Sequence, residues 1–285
     1  MSYVRFGLMI LTSTVVMFVL MYLNTYAFEH LFFSETRLYM AILMGATMAL
    51  VMLAFMLGMY RNTALNIAIF VAAIVVFAGS LWLVRSQATV SGTSYMRAMI
   101  PHHSIAVMTS ERAGIVDRRV RKLADEIIGA QRKEIAEMRY LIADIAGGNN
   151  VQAIYEDPPA TVGTIDDALA NTLRAELDPS PVSGEEAGEV LPAGGGCSFN
   201  RSPETDPILR IAAGGGDAVM KLNGVIVPLA GSEAENGAST YQAPGVTMTV
   251  RSLVDDADWR SDAELVFALD GGPTVGYRGF YACNG

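Results

Sequence analysis

The sequence predicts a multi-domain membrane protein with three N-terminal transmembrane helices, a helical hairpin and a small C-terminal all-β domain. Long uncharged segments near the N-terminus predict the membrane helices. Apolar side chains spaced three and four apart predict the hairpin over residues 93–146. Short alternating runs separated by glycine turns predict strands after residue 197. Of the 285 residues, 52% are hydrophobic, which is more than a typical soluble domain contains.

The predicted transmembrane domain covers residues 1–92, with spans at 6–28, 38–60 and 64–84. Each span is about 32–35 Å long as a helix, enough to cross a hydrocarbon core of about 30 Å. The second span carries methionines at strict four-residue spacing. These are Met40, Met44, Met48, Met52 and Met56. A soft-metal pathway is one interpretation. Because a four-residue step drifts by about 40°, packing or lipid contact is the favoured one.

The two cysteines, Cys197 and Cys283, bracket the last predicted domain. We expect one disulfide that closes this domain and requires an oxidising compartment, with a free pair in a reducing cytosol as the alternative. On this basis the N-terminus is predicted to be cytoplasmic and residues after about 85 periplasmic, at a bacterial inner membrane. The net charge of −9 argues against nucleic acid as a partner.

Metal-binding chemistry is concentrated between residues 96 and 108. Two of the three histidines, His102 and His103, are adjacent there. Met96 and Met99 fall about 20° and 40° from His103 on a helical wheel, whereas Met108 falls about 140° away. Pro101 removes a backbone donor, so a kink is expected beside the histidines. Thioether and imidazole groups together suit a copper ion.

The hairpin is expected to consist of helices over about 94–113, capped by Thr93 or Ser94, and 117–146, capped by Asp117. Its second helix has an apolar stripe that includes Leu123, Ile127, Ala130, Met138, Leu141 and Ile145. Folding back near residue 115 would bring Gln131, Glu134 and Met138 level with the histidines. The alternative is a plain polar patch between two helices, with Glu134 paired or exposed.

These residues also carry a family resemblance. The runs Met99-Ile-Pro-His102-His103-Ser-Ile-Ala-Val-Met108 and Gln131-Arg-Lys-Glu134-Ile-Ala-Glu-Met138 resemble domain-of-unknown-function family 305. The resemblance implies a ferritin-like, mostly extracytoplasmic, copper-binding domain. Its implied candidate ligands are Met99, His102, His103, Met108 and Met138. It also implies a four-helix bundle, which this chain would complete by dimerising or by recruiting residues 163–177.

The remaining chain is predicted to be a linker, residues 147–196 with a short helix at 163–177, followed by the β domain at 197–285. Strands are expected at 208–212, 218–222, 225–229, 246–253, 264–269 and 275–282, with a hairpin turn at Asn223-Gly224. The order Lys221-Leu-Asn-Gly224, Ala238-Ser-Thr-Tyr241, Glu264-Leu-Val and Cys283 loosely resembles membrane-bound C-type lysozyme inhibitors. Because the sequence of this domain contains no histidine and no nucleophile paired with a base, it is expected to be a binding or structural module.

Together these patterns predict a membrane-anchored protein that sequesters or hands over copper ions. Met96, Met99, His102, His103, Met108 and Met138 are the candidate ligands, and Gln131 and Glu134 would orient them. No enzymatic activity is expected, because a di-iron site needs Glu-x-x-His repeats that this sequence lacks. The alternative is a non-enzymatic structural or recognition protein that acts through the β domain on an unknown extracytoplasmic protein, with the hairpin serving for dimerisation.

Overall fold

The structure, a computed structural model, describes residues 2–154, 179–191, 196–222, 225–235, 237–254 and 256–283. The chain forms two compact units, Met1–Ile127 and Ile128–Gly285. The helices are α1 Tyr3–Leu20, α2 Glu35–Phe55, α3 Thr63–Ser86, α4 Gly92–Arg112, α5 Arg118–Ala146 and α6 Gly184–Gly188. The predicted helix at 163–177 lies outside the described residues.

Helices α1, α2 and α3 are each long and apolar enough to cross a membrane. The first ends earlier than predicted, at Leu20 and not near residue 28. The reason is tertiary: the chain turns after Met21, whose carbonyl accepts a hydrogen bond of 2.8 Å from the Arg37 guanidinium. Residues 21–34 therefore form a loop at the end of the bundle where α2 begins.

Small side chains of α2 allow the spans to pack closely. Its fully or nearly buried positions are Ala41, Gly45, Ala46, Ala49 and Leu53. A side chain on Gly45 would collide with Thr14 of α1, which locates the closest approach of these two helices. The methionine row of α2 does not form one buried seam, because Met40 is 43% exposed while Met52 and Met56 pack against the bundle core.

Helix α4 begins before the predicted cap. Its first residue is Gly92, preceded by Ser91, so the predicted caps Thr93 and Ser94 are wrong. The Ser94 hydroxyl instead donates to Glu35 Oε1 at 2.9 Å. A side chain that was expected to cap its own helix thus joins α4 to the start of α2.

Helix α5 begins as predicted. The Asp117 carboxylate accepts from the Arg119 backbone N–H at 2.8 Å, which is N-cap geometry. Hydrogen bonds from the Arg119 side chain lower the pKa of Asp117 to about 2. The predicted apolar stripe is only partly buried: Leu123 and Ile127 are 55% and 36% exposed.

The buried face of the second half of α5 is set by the β domain within the second unit. Ala136 is fully buried in the core of that domain, and Ile135 and Ile142 are also buried. Arg139 donates to the Arg260 carbonyl at 2.9 Å. Periodicity alone favoured a different face, because the residues that cover α5 lie more than a hundred positions further along the chain.

The β domain is a closed antiparallel barrel. Its strands are β1 Pro179–Ser180, β2 Cys197–Asn200, β3 Leu209–Ile211, β4 Asp217–Leu222, β5 Val225–Glu235, β6 Ala238–Ala243, β7 Val246–Ser252, β8 Ala263–Leu269 and β9 Thr274–Cys283. Strands β2 to β9 pair in the order β4-β3-β2-β9-β8-β7-β6-β5, and β4 pairs with β5 to close the ring. Strands β1, β2 and β6 were not predicted, and β1, which pairs with β4, lies in the predicted linker. The predicted disulfide is confirmed, since Cys197 and Cys283 lie opposite each other on β2 and β9.

The barrel interior is filled by large apolar side chains from every long strand, as expected for a barrel of this size. Phe199, Met248, Leu265, Phe267 and Tyr277 are all completely buried. The strands that flank the predicted hairpin turn pair as expected, with Leu222 opposite Val225. The turn residues themselves lie outside the described part of the chain.

Candidate functional site

The histidine motif lies in the middle of α4, which continues through Pro101. The buried face of the helix is formed by Met96, Ile100, Ser104 and Val107. These positions follow helical spacing, so one narrow face of α4 is buried within the first unit. Met96 is 6% exposed, and the motif is therefore part of the packed structure at this point and not a solvent-facing tail.

His102 and His103 point in different directions. The His102 side chain is exposed, whereas His103 is half-buried and its Nδ1 atom is inaccessible to solvent. Their ring centroids are 6.2 Å apart and the ring planes are tilted by 56°. This divergence is what a helix imposes on adjacent residues, about 100° apart.

The methionines of α4 differ in the same way. Met99 and Met108 are both half-buried, one turn before and about one and a half turns after His103. Since the helix is continuous, Met96, Met99 and His103 share one side and Met108 faces elsewhere. Two thioethers and one imidazole therefore lie along a single side of α4.

The other predicted site residues belong to the second unit. Met138 is buried, and Gln131 and Glu134 are half-buried on α5. Their predicted convergence with His103 stays a prediction. Among the described residues, no group of three or more His, Cys, Asp or Glu side chains comes together in a way that could hold a metal ion. Thioether and imidazole groups such as those of α4 are donors of the kind that a soft ion such as Cu(I) prefers.

A buried polar contact missed by the sequence analysis lies directly beside His103. Ser104 is completely buried, and its hydroxyl accepts from the Tyr26 backbone N–H at 2.9 Å. The same hydroxyl is 2.9 Å from Nδ1 of His30, the third histidine of the chain, which is 3% exposed. One signal was available in the sequence: a serine on the apolar stripe between Ile100 and Val107 needs a buried partner.

Helix α4 contacts the loop between α1 and α2, and the start of α2, at points along its length. Near its start, Ser94 binds Glu35. In its middle, Ser104 contacts Tyr26 and His30. At its end, the Arg112 guanidinium lies 5.8 Å from the Tyr26 ring centre. Because this loop joins two candidate membrane spans, α4 lies across that end of the helical bundle.

Comparisons with known proteins identify two segments. A family profile described as Domain of unknown function (DUF305) matches residues 92–179, and one described as Domain of unknown function (DUF6692) matches residues 143–285. The chain is similar to a protein named "Uncharacterized protein L153" from Acanthamoeba polyphaga mimivirus, with 34% identity over 143 residues. That similarity covers 47% of this chain and 91% of the relative. No solved structure matches the chain.

The first of these matches confirms the family resemblance that was seen in residues 93–146. The resemblance of residues 197–285 to lysozyme inhibitors stays a prediction.

Proposed function

The chain belongs to the family described as Domain of unknown function (DUF6692) and contains a DUF305 segment, and we propose that it is a membrane-anchored copper-binding protein. The observation that carries the proposal is the side of α4 on which Met96, Met99 and His103 lie together. This side is held at the end of a bundle of three apolar helices. The protein would sequester copper ions or hand them over, without catalysing a reaction.

Each of these side chains has its own proposed role in binding copper. Met96, Met99 and His103 would bind the ion as soft and borderline ligands. His102, which is exposed, would take the ion up from solution or from a donor. Met108, also on α4, is a further candidate ligand, and the parts of Met138, Gln131 and Glu134 on α5 stay sequence-based predictions.

The proposed location follows from the disulfide and the three spans. A Cys197–Cys283 disulfide persists in an oxidising compartment. Three spans would place the residues before α1 and those after α3 on opposite sides of a membrane. We therefore propose that the N-terminus is cytoplasmic and that α4, α5 and the barrel are periplasmic, at a bacterial inner membrane.

The test is a Cu(I) competition titration of the full chain in detergent, because α5 contributes to both units and a hairpin fragment would lose its packing partners. The His102→Ala/His103→Ala variant should lose tight binding, and Met96→Leu/Met99→Leu should weaken it. The matched control is Met40→Leu/Met44→Leu in α2, which should leave the affinity unchanged. Equal, weak binding by wild type and by the histidine variant would overturn the proposal.

We also propose that the protein is a homodimer built on the first half of α5. Val120, Leu123 and Ile127 of α5 follow spacings of three and four, and they are 49%, 55% and 36% exposed; Val116, which precedes the helix, is 92% exposed. This is the spacing of a coiled-coil seam. An antiparallel pair with Val120 near Ile127 of a second copy would bury these side chains on both copies.

Light-scattering mass of the full chain in detergent tests the dimer. Leu123→Glu should convert a dimer to a monomer, because it places a carboxylate in the seam. Arg118→Glu is the matched control, since it lies on the opposite side of the helix and should leave the mass unchanged. A wild type that is monomeric at every concentration would contradict the dimer.

A second candidate function, recognition of a protein by the barrel, is favoured by the loop between β7 and β8. Val254 and Trp259 are 83% and 52% exposed there, and the Arg260 guanidinium lies 4.2 Å from the Trp259 ring centre. Tryptophan and arginine are typical of binding hot spots, and here Trp259 is the exposed one while Arg260 is half-buried beside it. Crosslinking from a photoreactive residue at Val254 in living cells would test this, and a lack of any crosslinked product would contradict it.

A further inference from the structure

We propose that His30 is a positioning residue for the histidine motif, and that it acts through its hydrogen bond to Ser104. His30 lies in the loop between two membrane spans, outside the segment that the DUF305 profile matches. Its contact with Ser104 sets the rotation of α4 and thereby the directions in which His102 and His103 point. The part of this inference that concerns metal affinity rests on the proposed function.

The contact is buried on both sides. His30 Nδ1 and Ser104 Oγ are 2.9 Å apart, and the two residues are separated by 74 positions in the chain. Ser104 is fully buried and His30 is 3% exposed. A buried hydroxyl or imidazole that loses its partner must stay desolvated without a hydrogen bond, so the contact strongly favours one placement of α4.

The contact fixes rotation because of where Ser104 lies. It directly follows His103 and belongs to the inward stripe with Ile100 and Val107. Its hydroxyl is held from a second direction by the Tyr26 N–H at 2.9 Å. A helix is stiff, so turning Ser104 away from these two partners would turn His103 and His102 by the same angle.

Substitutions at residue 30 distinguish the effect of this hydrogen bond from the effect of side-chain volume. Asparagine places an amide atom near the position of Nδ1, and that amide can accept from or donate to the Ser104 hydroxyl. Glutamine reaches towards the position of the other ring nitrogen, and leucine has no polar atom. His30→Asn should therefore keep the hydrogen bond to Ser104, and His30→Gln and His30→Leu should lose it. On the partner side, Ser104→Ala removes the hydroxyl.

Thr109→Ala is the matched control for Ser104→Ala. Thr109 is also a hydroxyl residue on α4, but it bonds to carbonyls of its own helix, those of Ile105 and Ala106. Its loss should not change the position of α4 relative to the loop. Circular dichroism and thermal unfolding of each variant identify any that fail to fold.

The first readout needs no metal. Diethyl pyrocarbonate modifies exposed histidines, and mass spectrometry of the full chain in detergent reports the rate at each of the three. We expect His102 to react fastest and His30 slowest in wild type and Thr109→Ala, and we expect His30→Asn to keep the wild-type rates at His102 and His103. In His30→Leu, His30→Gln and Ser104→Ala, the rate at His103 should rise severalfold, because α4 has lost a buried hydrogen bond that fixes its rotation.

The second readout is Cu(I) affinity. His30→Leu, His30→Gln and Ser104→Ala should weaken binding by about tenfold or more, while His30→Asn and Thr109→Ala stay near wild type. If wild type does not bind Cu(I) but the His103 rates follow the expected pattern, the proposed function fails and the positioning role stands. Unchanged His103 modification rates in His30→Leu and Ser104→Ala would overturn the positioning role. A His103 rate in His30→Asn that rises as much as in His30→Gln would overturn it too.

Discussion

Tyr140 of α5 covers Gly276 of β9 so closely that a side chain at position 276 would overlap its ring. This contact joins the second half of α5 to the outside of the barrel within one unit. Burial raises the pKa of Tyr140, and the carboxylates of Asp144 and Glu264 add to that effect. The contact makes the second half of α5 part of the barrel structure.

Gly276→Ala should destabilise the barrel by about 1–3 kcal/mol, because the added methyl group displaces Tyr140. The matched control is Gly216→Ala, at a position with open space around it. Unfolding can be followed by the fluorescence of Trp259 in a Trp82→Phe background. Adding Tyr140→Ala to Gly276→Ala should cost less than the sum of the two single changes, and strict additivity would contradict the proposed overlap.

Removing the disulfide should lower the free energy of unfolding of the barrel. Cys197 and Cys283 are 86 positions apart, so the bond closes a loop that contains nearly the whole barrel. Replacing both by serine should cost about 2–5 kcal/mol. Denaturant unfolding of oxidised wild type, reduced wild type and the double variant measures this. Equal stability of the oxidised and reduced forms would contradict the prediction.

The barrel should lose stability in acid through Glu186. Hydrogen bonds from Lys221, at 2.8 and 3.0 Å, and from the Ser183 backbone lower the pKa of Glu186 to about 2 from an ordinary 4.5. A lowered folded-state pKa means that this stabilisation is present above about pH 4.5 and is lost as the pH falls towards 2.

Glu186→Gln should therefore flatten the dependence of barrel stability on pH between about 4.5 and 2. Glu185→Gln, at an exposed position on the same turn, is the control and should leave the dependence as it is in wild type. Chemical unfolding at several pH values in a non-ionic detergent gives the slope. If the unfolding free energy of Glu186→Gln depends on pH as steeply as that of wild type, Glu186 is not the group responsible.

Gly45 should be essential for the packing of α1 against α2. Gly45→Val should destabilise the helical bundle by about 1–3 kcal/mol, because the new side chain meets Thr14. Gly79→Val, at a position in α3 with open space, is the control and should have little effect. Thermal unfolding in detergent measures both. Partial recovery in Gly45→Val/Thr14→Ala is expected, and equal effects at both glycines would contradict the assignment.

Features that depend on local composition were predictable from the sequence. Three long uncharged segments predicted the candidate spans, and Asp117 predicted the start of α5, because length, hydropathy and capping are properties of consecutive residues. The placement of Cys197 and Cys283 predicted their pairing. The family resemblance of the histidine motif was visible in a run of consecutive residues.

Features that depend on distant residues were not predictable. Leu20 ends α1 because of a contact from Arg37, and Ala136 is buried because the barrel lies against α5. Strands β2 and β6 have weak strand patterns in the sequence. They form strands because they pair with β9 and β7 in the barrel. Periodicity identified the helices but could not identify the face that another part of the chain would cover.

The sequence by itself thus determined the candidate spans, the disulfide pair and the helix that carries Met96, Met99, His102 and His103, since each is encoded in local pattern or composition. Only the tertiary structure decided which side of that helix faces inward and that His30 meets Ser104. The physical reason is that a buried polar contact across 74 residues depends on where the folded chain places both partners.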